Sequence, residues 1–305
     1  MTLETSLVWI GLGKLGLPMA ARIANAGHDI VGHDLDPDRI DVARARQVAI
    51  AENPVQAVHD ATAVLTSLPD DRSFEAALCG EGGLIAGMES GAILVDTSTV
   101  SPEASARVAI AAEARGIAYL RAPVSGNPVL AERGELTVLA SGPRDAFERL
   151  RPALLAISKA QHYLGEAEQA RYAKLSINLM IAVSAGMMAE AMALARRGGV
   201  DAGQMLDLLA DSAVGSPMVK YKTPPLKAGD YTSTFSCRQM AKDLDLILDA
   251  ARATDVPAPL AAQQREAYSA LIASGDGEAD FIATVRHAAR LAGFRDADSP
   301  TGDGA

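Results

Sequence analysis

The sequence predicts an α/β fold in two parts: an N-terminal doubly wound, largely parallel sheet, then an all-helical C-terminal domain, the two joined by one long interdomain helix. Three observations carry that reading. Short apolar runs alternate with helical stretches as far as Gly165, strand signals vanish beyond it, and Glu166–Arg197 can form one long helix stopped by the pair Gly198 and Gly199. At 305 residues, 49% of them hydrophobic, the chain is long enough for two cores of ordinary size. The domain boundaries expected are 1–165 and 166–293, followed by a disordered tail at 294–305 rich in Asp, Ser, Gly and Pro.

The continuous apolar run Leu7–Ile10 reads as a strand buried on both faces. Leu17, Ala20, Ala21, Ile23 and Ala24 then recur at helical spacing, with Pro18 tolerated in the first turn, and that helix stops at Gly27. A second strand spans roughly Asp29–His33. Further strand-like runs follow at Ala63–Leu68, Ala92–Asp96, Ala118–Ala122, Leu136–Ser141 and His162–Leu164, with helices at Pro102–Arg115 and Arg144–Ile157, and the pattern allows the parallel sheet an antiparallel edge. In the second part, helices are expected at Ala202–Ala213, Phe235–Ala253, Leu260–Ala273 and Asp280–Ala292. The segment Leu175–Ala195 nears the length that spans a bilayer, but it carries Asn178 and Glu190 between Lys174 and Arg196, so a buried central helix is the expectation.

The turn between the first strand and helix, GLGKLG, holds glycines at 11, 13 and 16, and Asp34 closes the next strand eighteen residues past the last of them. Strand, glycine turn, helix and acidic residue together make the Rossmann-type pattern for a dinucleotide. Gly11 permits a tight turn, Gly13 lets backbone N–H groups approach a pyrophosphate, and Gly16 lets helix and strand pack closely. Unpaired N–H groups and the positive end of the helix dipole favour phosphate there. Asp34 accepts from both ribose hydroxyls and repels a 2′-phosphate, which predicts NAD over NADP, with Arg39 close enough to complicate the choice.

The formal charge of −10 argues against nucleic-acid and anionic-membrane partners. The two cysteines, Cys79 and Cys237, have no partner pattern and are expected as buried free thiols; the five histidines show no ligand spacing. The start of the chain lacks the order of a secretion signal, so a cytoplasmic setting is expected. Metalloprotease, phosphate-loop and elbow-serine motifs do not occur.

Ligands of a doubly wound sheet bind beyond the carboxyl ends of its strands. Leu68–Pro69 are placed to wall a nicotinamide ribose. Ser98 and Thr99, in DTSTVSP, either offer hydroxyls near the nicotinamide or cap the helix at Pro102. Ser125–Gly126, in APVSGN, are either a turn that holds a carboxylate without adding charge or a plain loop. Lys174 and Asn178 are four residues apart and share a face of an otherwise apolar helix. Partial burial disfavours the ammonium form of a lysine, so Lys174 suits proton exchange with a hydroxyl, the alternative being a lysine that snorkels at the helix start. Lys242, in MAKDLDL, is a second candidate or a solvated helix lysine.

These segments, IGLGKLGLPMAARIANAGHDIVGHD, DTSTVSP, APVSGN, KLSIN and MAKDLDL, resemble in order and spacing the β-hydroxyacid dehydrogenases, the group of 3-hydroxyisobutyrate dehydrogenase and tartronate semialdehyde reductase. The resemblance runs to about Leu291. It implies NAD(P)-dependent oxidation of a small 3-hydroxy acid to its semialdehyde, or the reverse. It implies a catalytic Lys174, a substrate-carboxylate turn at Ser125, Gly126 and Asn127 with Asn178 nearby, and cofactor contacts at Gly11, Leu12, Gly13, Lys14, Leu15, Gly16, Leu68, Pro69, Thr99 and Lys242. It also implies a homodimer or homotetramer joined through the helical domain. Three places depart from the family pattern: Arg121 stands where an aspartate is usual, Asn127 where a second glycine is usual, and Glu168 and Ala170 where glycines precede the lysine. Such changes select a larger or differently charged substrate. An imine reductase is the nearest alternative, but those relatives replace the lysine and favour NADP. A non-catalytic cofactor-binding module is the other. The longer 6-phosphogluconate dehydrogenases need a larger helical domain than this chain holds.

Overall fold

The computed structural model describes residues 6–294, so the expected tail, apart from Phe294, lies outside the described residues. In chain order the elements are β1 (Leu7–Ile10), α1 (Gly16–Asn25), β2 (Ile30–His33), α2 (Pro37–Ala45), β3 (Ala49–Ile50), α3 (Pro54–Asp60), β4 (Ala63–Thr66), α4 (Asp71–Cys79), α5 (Leu84–Gly87), β5 (Ile93–Asp96), α6 (Pro102–Glu113) and β6 (Ala118–Arg121). There follow β7 (Val124–Ser125), α7 (Pro128–Arg133), β8 (Leu136–Ala140), α8 (Arg144–Ile157), β9 (Ser158–Tyr163) and α9 (Gln169–Arg197). The remainder is helical: α10 (Ala202–Asp211), α11 (Pro217–Lys227), α12 (Cys237–Ala253), α13 (Pro259–Ala273), a 3-10 turn at Phe281–Ala283, and α14 (Thr284–Leu291).

Six parallel strands lie in the order β3-β2-β1-β4-β5-β6. The chain winds outward from β1 on one side and restarts at β4 on the other, so the order of strands, though not their direction, reverses between β1 and β4. Loops leave their carboxyl ends in opposite directions there and open a crevice. Strand residues alternate between two cores. Leu7, Trp9, Leu65, Ile93, Val95 and Leu120 pack under α1 and α8, while Val8, Ile10, Val64, Leu94 and Tyr119 pack under α4 and α6. That alternation is why the strands read as unbroken apolar runs: neither face meets water, and each buried aliphatic side chain contributes about 1.5–3 kcal/mol.

The expected antiparallel edge takes a different form. β7, β8 and β9 make a separate three-stranded sheet, antiparallel between β7 and β8 but parallel between β8 and β9, which touches the main sheet through the bridge Arg121 to Ser141. β9 starts at Ser158 rather than His162, because its polar residues Lys159 and Gln161 hide its strand character. Short helices that begin at proline, α2, α3 and α7, have too few turns to show a period. α11, outside the helices expected from the sequence, runs through Pro224 and Pro225, residues that disfavour a helix interior. Cys237 is buried as expected, but Cys79 is exposed, since it ends α4 on the side away from Phe74 and Leu78.

The chain divides into two compact units after Leu175, inside α9. α9 is long and apolar enough to cross a membrane by length and composition. Within the second unit its Ala182, Ala185, Met188, Ala189 and Met192 are buried, and Thr284 donates to the Ala185 carbonyl at 3.4 Å.

Candidate active site

The glycine loop is shaped by two close approaches and one open space. Gly11 sits at φ +94°, and a Cβ there would lie 2.3 Å from the Ser67 carbonyl; a Cβ on Gly16 would lie 1.9 Å from the Gly11 carbonyl. That carbonyl also accepts from Trp9 Nε1 at 3.0 Å. At Gly13, by contrast, a Cβ would meet nothing nearer than Arg39 Nη1 at 3.8 Å. No element of the protein needs that glycine, but a backbone approached by a ligand does. Helix α1 matches it. Side chains of Asp36, Asn53, Asp70 and Ser101 cap α2, α3, α4 and α6, whereas no side chain caps α1. α5 and α8 likewise have no side-chain cap, and in the first turn of α1 the Leu17 and Met19 amides donate to the Gly13 and Leu15 carbonyls, so what the start of α1 offers an anion is the positive end of its dipole and the amide of Gly16.

Asp34 ends up buried at the carboxyl end of β2. Oδ2 accepts from the Leu12 amide at 2.7 Å and Oδ1 from the Asp36 amide at 2.9 Å, which fixes the carboxylate plane; Arg39 stands 3.4 Å away and is 53% exposed. A cavity of about 1090 Å³ opens beside it, lined among others by Gly11, Asp34, Arg39, Val55, Leu68 and Pro69. Residues the sequence scatters over nearly sixty positions therefore face one space of ligand size. The loop, the uncapped helix and the fixed carboxylate fit a dinucleotide whose ribose carries no phosphate.

At the carboxyl ends of β4 to β6 the structure is instead a lattice of side chains, Asp96, Ser98, Tyr119 and Arg171, all buried and none of them lining that cavity. Asp96 is fully buried. Its Oδ1 accepts from Thr66 Oγ1 and Ser98 Oγ, both at 2.6 Å, and its Oδ2 accepts from Arg171 Nη2 at 2.5 Å. Ser98 Oγ also accepts from the Leu68 amide at 2.8 Å, so its hydroxyl ties two loops together, and the cap of α6 is Ser101. Burial pushes the Tyr119 hydroxyl up to about 12, against the pull of Arg171, so it stays a neutral partner.

Gly126, at φ +145°, turns the chain after β7, and Ser125 beside it is half-buried. Asn127 has its Oδ1 occupied, accepting from the Leu130 amide at 3.0 Å as the cap of α7. The departures from the family pattern at 121 and 168 face each other, since Arg121 donates to Glu168 and lies 4.4 Å over the Tyr119 ring. Lys174 is 9% exposed, in the second turn of α9.

In the helical unit Asn178 donates from Nδ2 to Asp243 Oδ2 at 2.5 Å, and Lys242 pairs with Asp243 Oδ1 at 2.7 Å. Asp243 is buried and joins two residues that sequence reasoning had singled out separately. It was missed along with Asp96, Tyr119 and Arg171. Arg171 did leave a signal: it stands three residues before Lys174 and therefore shares its helix face. Among the described residues no group of acidic, His or Cys side chains is arranged to hold a metal.

Comparison with known proteins agrees with this geometry. The family model for the NAD binding domain of 6-phosphogluconate dehydrogenase matches residues 6–165, and that for the NAD-binding domain of NADP-dependent 3-hydroxyisobutyrate dehydrogenase matches residues 169–288. The chain is 32% identical over 282 residues to 3-hydroxyisobutyrate dehydrogenase of Pseudomonas aeruginosa, covering 90% of this chain and 94% of that one. It is 31% identical over 284 residues to the NAD-dependent L-serine dehydrogenase of the same organism, covering 90% and 95%. Among solved structures, the Mycobacterium tuberculosis 3-hydroxyisobutyrate dehydrogenase with L-serine superposes with a TM-score of 0.83 at 30% identity, covering 93% of this chain and 99% of that one. Matched along nearly its whole length, the chain belongs to the β-hydroxyacid dehydrogenase family and is an NAD-dependent oxidoreductase of small hydroxy acids.

Proposed function

We propose that the chain interconverts a short 3-hydroxy acid and its semialdehyde, with Lys174 as general acid and base. The burial of Lys174 in the second turn of α9 is the observation that carries the reading, because an amine held largely out of water has little structural use there and can exchange a proton directly with a substrate hydroxyl. Bound NAD supplies the hydride acceptor. In oxidation Lys174 Nζ takes the hydroxyl proton as the hydride leaves the same carbon; in reduction the ammonium returns that proton to the carbonyl oxygen. Asn178, one turn on, gives one of its two Nδ2 hydrogens to Asp243; in this reading its second Nδ2 hydrogen orients the substrate oxygen, or its Oδ1 orients the lysine. The turn at Ser125 and Gly126 holds the substrate carboxylate with a hydroxyl and backbone N–H groups, which adds no charge of its own. Asn127 caps α7 through Oδ1, so what it can give the carboxylate is Nδ2 or its backbone N–H. Thr99 and Lys242 remain cofactor contacts in this reading.

Arg121 paired with Glu168 keeps the patch beside the turn close to neutral, which favours a monoanionic substrate over one with a second carboxylate. The oligomer and the cytoplasmic setting belong to the same proposal. Met180, Met187 and Leu194, exposed on α9 at seven-residue spacing, form the apolar stripe through which copies join. The test is a panel of 3-hydroxyisobutyrate, L-serine and larger or doubly charged 3-hydroxy acids, each with NAD and NADP, run on the wild type and Lys174→Ala. The variant is expected to lose about 10²–10⁴-fold in kcat while binding NADH as before. A Lys174→Ala protein that keeps a tenth or more of the turnover ends the acid–base role.

A further inference from the structure

Arg171 is among the largest fully buried side chains of the molecule, and a guanidinium at 1% exposure calls for an explanation. Its donors are spent in four directions. Nη2 reaches Asp96 Oδ2 at 2.5 Å and the Tyr119 hydroxyl at 2.8 Å, Nη1 reaches the Ser98 carbonyl at 2.7 Å, and Nε reaches Ser105 Oγ at 3.2 Å. Those partners belong to β5, β6, α6 and the loop after β5. The turn entering α9 is held a second time: Glu168 pairs with Arg121 at the end of β6, while Ser141 Oγ donates to the Ala167 carbonyl and accepts from the Ala170 amide. A single hydrophobic side chain would fill the same volume without taking two charges out of water, and buried ion pairs seldom exceed apolar packing in net stability. What the fork of N–H groups supplies and a hydrophobe cannot is a fixed direction.

We propose that Arg171 is a positioning residue for the reaction: bonded to Asp96, Ser98, Ser105 and Tyr119, it sets the rotation and axial place of the first turns of α9, and with them the Lys174 amine. Residues three apart on a helix lie nearly on one face, about 4.5 Å along the axis. A helix is stiff over one turn, so Lys174 follows wherever Arg171 is held. The same lattice includes Ser98, which also takes the Leu68 amide, so the loop expected against the nicotinamide and the helix that carries the amine share one set of hydrogen bonds. Such a device controls the distance between proton acceptor and hydride acceptor, where a displacement of about 1 Å is enough to cost 10²-fold in rate.

The inference rests on the acid–base reading of Lys174, and the experiment separates the two. Arg171→Gln, Arg171→Lys, Tyr119→Phe and Lys174→Ala are compared with the wild type, using the hydroxy acid of the panel that the wild type turns over fastest. Measured are kcat, KM, the NADH dissociation constant by fluorescence quenching, and the melting temperature. Arg171→Gln is expected to lower kcat about 10- to 100-fold with KM and NADH binding within about threefold. Arg171→Lys, which keeps the charge toward Asp96 but not the fork, is expected to recover part of that kcat. Tyr119→Phe removes one acceptor and stands in should the arginine variants fail to fold; its kcat is expected to fall about threefold with KM and NADH binding unchanged. An Arg171→Gln or Tyr119→Phe protein with kcat at the wild-type level overturns the proposal, as does a loss of NADH affinity equal to the loss in kcat. If Lys174→Ala stays active, the acid–base reading fails and takes this one with it; if only the Arg171 and Tyr119 variants stay active, positioning by Arg171 fails alone.

Discussion

The two ends of the crevice are made by opposite means. At the Asp34 end the ligand-facing surface is mostly backbone: a glycine turn, a helix whose first N–H groups no side chain caps, and a carboxylate held by two amides. At the Asp96 end the carboxyl ends of the strands are held by a lattice of buried side chains, with an ion pair at its centre and a second one beside it, that does not itself line the cavity. The contrast separates binding from placement. Pyrophosphate and ribose need only donors and acceptors that approach closely, which short local turns provide. A proton acceptor that works beside a migrating hydride has to be held to a fraction of an ångström, and that takes bonds across several elements.

Breaking the second end should therefore cost the fold as well as the rate. Asp96→Ala leaves Arg171 charged, buried and short of its main partner, and strips the acceptor from Thr66 and Ser98. The expected loss is about 3–5 kcal/mol, read from urea unfolding. If the variant loses less than about 1 kcal/mol, the lattice carries no strain-bearing charge and the contrast disappears.

A smaller effect from the same lattice appears in alkali. Tyr119 is raised from 10 in the unfolded chain to about 12 in the fold, chiefly by burial. A raised acid binds more protons in the folded state, so its contribution is complete below pH 10 and is lost as pH climbs through about 12. Two units correspond to about 3 kcal/mol in all. Tyr221 shifts the same way, so the measurement is a difference: between pH 10 and 12, stability of the wild type should fall more steeply than that of Tyr119→Phe. Parallel curves would show that Tyr119 ionises freely.

The same contrast explains what could be read in advance. The glycine spacing, the apolar strand, Asp34 and the Lys174–Asn178 pair all announce themselves within a few residues, because the geometry they serve is local. Arg171 and Asp96 are 75 positions apart, Arg121 and Glu168 47, and Asn178 and Asp243 65. Nothing in a single sequence couples such residues; Arg121 and Glu168 looked like two unrelated departures until the fold set them side by side. The second sheet was hidden for a similar reason. β7 has two residues, and β9 carries polar ones that fit an exposed edge better than a core.

The glycine end should respond in binding alone. At Gly13 an added Cβ finds 3.8 Å of clearance and φ is not in the left-handed region, so Gly13→Ala should leave unfolding within about 0.5 kcal/mol of the wild type. Its methyl would occupy the space a pyrophosphate needs, and NADH affinity should fall about tenfold, or 1.4 kcal/mol. Unchanged affinity would mean that the dinucleotide does not approach Gly13.

The least of the expected effects tests the choice between NAD and NADP. Arg39 is more than half exposed and 3.4 Å from Asp34, a geometry in which solvent screens most of the attraction. Asp34 keeps its two amide donors without it. Arg39→Ala should then change NADH affinity by no more than about threefold, within the range of an exposed pair. For NADPH the arginine is the nearest compensating charge to a phosphate that Asp34 repels, so its removal should weaken NADPH by a larger factor and widen the preference for NAD. If instead NADPH binding is indifferent to Arg39, the carboxylate alone decides the cofactor; if NADH binding collapses, Asp34 is not held by its amides, and the claim that this end of the crevice is built from backbone fails with it.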